Sequence, residues 1–182
     1  MKKRIAILAT NGFEESELTA PKEAMEKEGF EVHIVSPETG KIKAWDQGNW
    51  SKEYQVDKKV TEVSARDYNA LVLPGGVMNP DNLRTDKDVQ KFTRDFFEQK
   101  KPVATICHGP WTLISAGVVE GRTMTSYHTL KDDLENAGAK WVDKEVVVDE
   151  GLVSSRNPKD LPAFCSKLIE EIKEGKHEEQ HA

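Results

Sequence analysis

The sequence predicts an α/β fold, with one doubly wound, mostly parallel sheet and helices on both faces. Three observations lead there. Short apolar runs of strand length recur along the 182 residues, and most give way, after a Gly- or Pro-containing break, to a helical pattern. The runs ending at Leu73 and Ile106 are apolar enough to be buried on both faces, as parallel strands are. No repeat, linker or low-complexity stretch divides the chain, so residues 1–182 read as one domain, long enough to bury a sizeable core.

Taken in order, residues 4–9 form a strand that Thr10-Asn11-Gly12 breaks. A helix is predicted from Phe13 to about Glu28, with Gly29 ending it. Glu14, Glu15 and Glu17 fall in its first turn, where acids complement the helix N-terminus. Residues 30–35 return as a strand, which makes a right-handed βαβ unit. Residues 41–54 carry Trp45 and Trp50 among polar residues and fit a short hairpin or a surface excursion, with the tryptophans in packing or interface roles and ligand binding as the alternative. A strand over 68–73 runs into Pro74-Gly75-Gly76, where paired glycines let backbone amides turn toward a ligand. Residues 79–82 read as a turn, 86–99 as a helix, and 103–106 as the strand that leads into Cys107. Beyond it come a short helix to Ala116, a strand over 122–127, a helix over 130–137 capped by Gly138, and a hairpin of 146–148 with 152–155. The last helix begins near Asn157, and the charged residues 174–182 are expected to fray.

A net charge of −6 argues against nucleic acid or an anionic membrane as the main partner. No run approaches the length of a membrane span, and the apolar residues after Lys2-Lys3-Arg4 are too few for a signal-peptide core. Two cysteines, Cys107 and Cys165, make no disulfide framework, and no Cys/His spacing suggests zinc. A reduced, cytoplasmic setting is expected, with no metal and no cofactor.

The chemistry centres on Ile106-Cys107-His108-Gly109-Pro110. Strand, sharp turn and helix place Cys107 at the strand tip, at the N-terminal end of a helix, where a thiol can drop well below its free pKa of about 8.5. The alternative for such a cysteine is a small buried hydrophobe. In a doubly wound sheet, ligands bind beyond the carboxyl ends of the strands, so residues 10–17, Gly75-Gly76 and Cys107-His108 converge there. The amides of Gly76 and His108 are the candidate oxyanion donors. His108 is the candidate base or ion-pair partner, Asp81 the carboxylate that would orient its ring, and Glu17 a hydrogen-bond partner of the sulfur if burial keeps it protonated.

The chain resembles the ThiJ/PfpI superfamily, nearest its branch of PfpI-like intracellular proteases and general stress proteins. The resemblance runs from about Lys3 to Ile172 and is carried by residues 12–18, 70–76, 102–110, 131–134, 136–139 and 153–156. It implies a flavodoxin-like three-layer sandwich of the class I glutamine amidotransferase type, Cys107 as nucleophile, Glu17 as its glutamate partner, and self-association as a dimer or higher oligomer. In the protease-like branch a glutamate from a neighbouring subunit completes a Cys-His-Glu triad; here the matching position is the shorter Asp81. The function expected first is a cysteine hydrolase acting on peptides. A glyoxalase or deglycase using the same cysteine on small carbonyl substrates is the alternative, and a redox-sensing or chaperone-like stress protein is the non-enzymatic one. Glutamine amidotransfer is discounted, because Thr105 stands where glycine is wanted and His177-Glu178-Glu179 lies beyond the last helix.

Overall fold

The computed structural model describes residues 2–182. Its elements are β1 (Arg4–Leu8), β2 (Phe13–Glu14), α1 (Glu15–Lys27), β3 (Glu31–Ser36), β4 (Lys41–Asp46), β5 (Asn49–Gln55), β6 (Lys58–Lys59), β7 (Ala70–Leu73), α2 (Met78–Leu83), α3 (Lys87–Glu98), β8 (Val103–Ile106), α4 (Pro110–Ala116), β9 (Thr123–Met124), α5 (Lys131–Asn136), β10 (Lys140–Trp141), β11 (Val146–Asp149), β12 (Leu152–Ser155) and α6 (Leu161–Glu174). Seven strands form the central sheet in the order β11-β12-β8-β7-β1-β3-β6, parallel throughout except for the β11–β12 hairpin.

Alternation along each strand builds three layers. In β1, Ala6 and Leu8 pack with Phe92, Phe96 and Phe97 of α3 and Leu113 of α4. Ile5 and Ile7 point the other way, to Leu18 and Met25 of α1 and Phe164, Leu168 and Ile172 of α6. Successive strand side chains face opposite sides, so an unbroken apolar run is what a strand with helices on both faces needs. The expected flavodoxin-like sandwich of helix, sheet and helix is therefore the observed fold. Among the described residues, no helix is long and apolar enough to cross a membrane.

The structure decides one open reading and differs from two others. The excursion over residues 41–54 is an antiparallel hairpin, β4–β5, and it joins β2 in a separate three-stranded sheet. Residues 79–82 are not a bare turn but lie in the short helix α2. The tail does not fray. The His177 N–H donates to the Lys100 carbonyl at 2.9 Å, Lys100 pairs with Glu178 at 2.9 Å, and Gln180 is 3% exposed. The charge run read as solvated because its partners, Lys100 and the Arg122 guanidinium that reaches the His181 carbonyl, are distant in sequence.

Candidate active site

The elbow forms because the chain must leave a buried strand and start a helix within three residues. Cys107 turns at φ +60, a left-handed conformation that costs a non-glycine residue on the order of 1–3 kcal/mol unless its surroundings impose it. Here they do. The Cys107 N–H donates to the Ser155 carbonyl at 3.1 Å, and its own carbonyl accepts from the Tyr127 N–H at 3.0 Å. Pro110 then occupies the first turn of α4.

Opposite the elbow, Pro74-Gly75-Gly76 leaves β7 with no room for side chains. A Cβ on Gly75 would stand 2.6 Å from Glu17 Oε1 and 2.7 Å from Cys107 Cβ. Asn79, fully buried on α2, holds this loop. Its side-chain N–H₂ donates to the Pro74 and Gly75 carbonyls, each at 3.1 Å, and its Oδ1 accepts from the Thr10 N–H at 2.7 Å. The loops after β1 and β7 are thereby locked together, and Gly75 packs closely against Cys107 in the loop after β8. They converge on a cleft of about 340 Å³ lined by Gly12, Glu14, Trp45, Gly76, Val77, Met78, Cys107 and His108. A larger hollow of about 550 Å³ lies elsewhere, walled by Ser64, Arg66, Lys91, Asp95, Glu98 and Gln99, none of them a strong nucleophile.

At the cleft floor, Cys107 Sγ lies 3.2 Å from His108 Nδ1. The amides of Gly76 and His108 both bond the sulfur and pull the thiol pKa down. Burial and the charge of an ionised Glu17 push it up, and they outweigh the amides. The low thiol pKa expected from a helix N-terminus is thus not what the site provides. Cys107 is only 8% exposed and α4 spans just seven residues. Glu17 is fully buried, accepts from the Gly75 N–H at 3.1 Å through Oε1, and lies close enough for its charge to act on the Cys107 thiol, its Oε2 having no partner among the described residues. Burial first, and then the nearby Glu14, push its carboxyl up to about 8. Both groups therefore hold their protons at neutral pH, and the thiol must give up its own before the sulfur can react. As an O–H donor Glu17 stabilises a thiolate rather than repelling one.

The His108 ring is clamped. It stacks on Tyr127 with centroids 4.8 Å apart and meets Trp111 edge-on at 5.1 Å. Its Nε2 lies 3.4 Å from Thr129 Oγ1. Burial and then His128 lower its pKa, so it is a neutral imidazole, suited to accepting a proton and not to pairing as a cation. Asp81 is exposed on α2, and the protein gives it no hydrogen bond to His108 within the chain. Of the sequence-predicted residues, Cys107, His108, Glu17 and Gly76 meet; Asp81 does not join them in a single chain.

Glu14, Met78, Asn79, Tyr127 and Thr129 were not among the candidates, and Trp45, read as packing, interface or ligand-binding, lines the cleft. The sequence singled out Glu17 and left Glu14 and Glu15 as first-turn acids, yet each has its own place: Glu14 on the cleft, and Glu15 accepting from Tyr54 Oη at 2.6 Å and Ser51 Oγ at 2.7 Å. Glu15 thus ties the β4–β5 hairpin to α1 and brings Trp45 to the cleft. Away from the cleft, Glu171, Glu174 and His177 bring potential ligand atoms within 4.8 Å of one another, with His177 and Glu171 paired at 2.9 Å.

Comparison with known proteins places this geometry. Residues 3–171 match the model of the DJ-1/PfpI family. The chain is 46% identical to general stress protein 18 of Bacillus subtilis over 90% of its own length and 94% of the relative's. It is 47% identical to protein/nucleic acid deglycase 2 of Escherichia coli, over 93% of this chain and 97% of that one. Among solved structures, Drosophila melanogaster DJ-1beta superposes with a TM-score of 0.85 at 25% identity, covering 96% of this chain and 95% of that one. On its sequence match and its fold alike, the chain belongs to the DJ-1/PfpI family.

Proposed function

We propose that this protein is a cysteine-dependent deglycase, acting through Cys107 on the adducts that methylglyoxal and similar dicarbonyls form with amines and thiols. The size of the site carries this reading. The sulfur lies at the floor of a cleft of about 340 Å³ with eight lining residues, a space for a small carbonyl group rather than an extended peptide. Relatives named as deglycases support it.

In this reading the thiolate adds to the carbonyl carbon. The adduct first loses its amine or thiol, which takes a proton, to leave the free aldehyde. The C–S bond to Cys107 then forms, the C=O π pair moves to oxygen, and the amides of Gly76 and His108 stand close enough to the sulfur to stabilise that oxygen. A proton shift from this carbon to its neighbour gives a thioester that water hydrolyses to lactate. Glu17 and the neutral His108, 3.2 Å from the sulfur, move the protons. Methylglyoxal plus water has the composition of lactate, so one carbon is oxidised as its neighbour is reduced and no external redox partner is required. The test is lactate formation from methylglyoxal and recovery of free amine from methylglyoxal-treated Nα-acetyl-lysine, both expected to vanish in Cys107→Ala. No product from the wild type at high enzyme concentration would end this reading.

A second reading, peptide hydrolysis, is favoured by the contact between His108 and the sulfur. Within one chain the other ring nitrogen meets Thr129 and no carboxylate. This reading therefore calls for a second copy of the chain to supply Asp81. Cleavage of fluorogenic peptides that disappears in both Cys107→Ala and Asp81→Asn would favour it over the first.

A further inference from the structure

The small sheet carries one row of side chains from the cleft to the surface. Glu14 of β2 stands in register with Trp45 of β4, and Trp45 with Trp50 of β5. Residues directly opposite on neighbouring strands project from the same face. The two indoles meet edge to face, 5.4 Å between centroids. At the inner end of the row, Glu14 and Trp45 line the Cys107 cleft; at the outer end, Trp50 is 49% exposed.

Among the described residues no cation pairs with the Glu14 side chain, and burial, then Asp46 and Glu15, raise its pKa, so a cation entering the cleft is what would hold it ionised. Glu14 stands at the N-cap of α1 but makes no capping bond. The charged groups that bear on it are Asp46 and Glu15, both acids. Glu15 is occupied by Tyr54 and Ser51. The hairpin's cations are turned elsewhere: Lys41 pairs with Glu53, Lys52 bears on Glu15, and Lys43 lies 5.8 Å from the Trp50 ring centre. That last contact shows the outer end of the row already accepting a cation on an aromatic face. Beside Glu14 and Trp45, Val77 and Met78 offer an apolar wall.

A carboxylate beside an indole is a two-part receptor for a planar cation, which forks onto the first and stacks on the second. We propose that Glu14 and Trp45 form a cation subsite of the Cys107 cleft, selecting substrates whose electrophilic carbon is carried on a guanidinium. This rests on the reading of Cys107 as the reacting group and narrows its substrates toward arginine-derived adducts over neutral ones.

Two measurements on the full chain separate this subsite from the activity. In the first, Nα-acetyl-arginine methylamide protects Cys107 from iodoacetamide, followed by mass spectrometry with Cys165 as control; Nα-acetyl-citrulline methylamide is the neutral isostere. The arginine probe is expected to protect, with a midpoint raised about tenfold in Glu14→Gln and in Trp45→Leu and less in Trp45→Phe, and citrulline to protect weakly in all. Equal protection by arginine and citrulline in the wild type overturns the subsite. In the second, kcat/KM for the methylglyoxal adduct of the arginine probe is divided by that for the adduct of Nα-acetyl-cysteine. The ratio is expected to fall about tenfold in Glu14→Gln, through KM; a ratio that does not move also overturns it. Charge-selective protection without turnover of either adduct would keep the subsite and discard the deglycase reading. Turnover without charge selectivity would do the reverse.

Discussion

Glu17 Oε1 accepts the Gly75 N–H at 3.1 Å, and its fully buried carboxyl, whose Oε2 has no partner among the described residues, lies where its charge bears on the Cys107 thiol. The two acids of the site, one carboxyl and one thiol, therefore titrate as a pair inside a backbone frame that neither can leave.

The direction of one shift tests whether Glu17 keeps its proton when the thiol loses its own. If neutral Glu17 donates to the thiolate, Glu17→Leu removes a donor and raises the apparent pKa of Cys107 alkylation, by roughly one unit. If an ionised Glu17 were repelling the sulfur, the same change would lower it. Iodoacetamide rates against pH, read by mass spectrometry, decide between the two.

Folding stability should carry the same signature. The Glu17 carboxyl is raised from 4.5 to about 8 in the folded protein, so between those values the folded state holds a proton that the unfolded state has released. Stability contributed by this group is full below the unfolded value and declines as pH rises toward about 8, by on the order of 2–4 kcal/mol. Glu17→Gln is expected to remove that decline. Urea unfolding at pH 5 and pH 8.5 measures it; equal pH dependence in both proteins would contradict the shift.

Gly75→Ala should be severe although it adds one methyl group. Its Cβ would press on Glu17 Oε1 and Cys107 Cβ and stand 2.9 Å from the Ile106 carbonyl, and that backbone atom cannot swing aside. A stability loss of about 1–3 kcal/mol is expected in chemical denaturation, together with slowed Cys107 alkylation.

Asn79→Leu should loosen the site without touching the cleft. It leaves the Thr10 N–H and the Pro74 and Gly75 carbonyls without their buried partner, at a cost of about 1–3 kcal/mol. Hydrogen exchange should rise first at Gly75 and Gly76. Unchanged protection there would show that the loop holds itself.

Truncation after Gly175 tests the docked tail. It removes buried Gln180 and the bond between His177 and Lys100, so the melting temperature should fall by several degrees. A truncated chain that melts with the full one would mean the tail contributes nothing.

The chain's own pattern determined the parallel sheet, the layers on both faces, and the meeting of Gly76 with Cys107 and His108. Those follow from local apolar periodicity and from the rule that parallel strands share an end, which short stretches of sequence carry. The hairpin over residues 41–54 was only one of two readings, because its register depends on pairing with β2. The sequence singled out Glu17, but tertiary structure alone separated Glu14 from Glu15. Near neighbours in sequence, the three acids differ by what packs against each: an open cleft, a hairpin from β5, and a sulfur beneath a glycine loop. It also reversed the direction of the Cys107 shift, since the turn that exposes a nucleophile was legible and the burial around it was not. Desolvation and partner choice are sums over residues far apart in the chain, and only the folded arrangement brings those residues to one point.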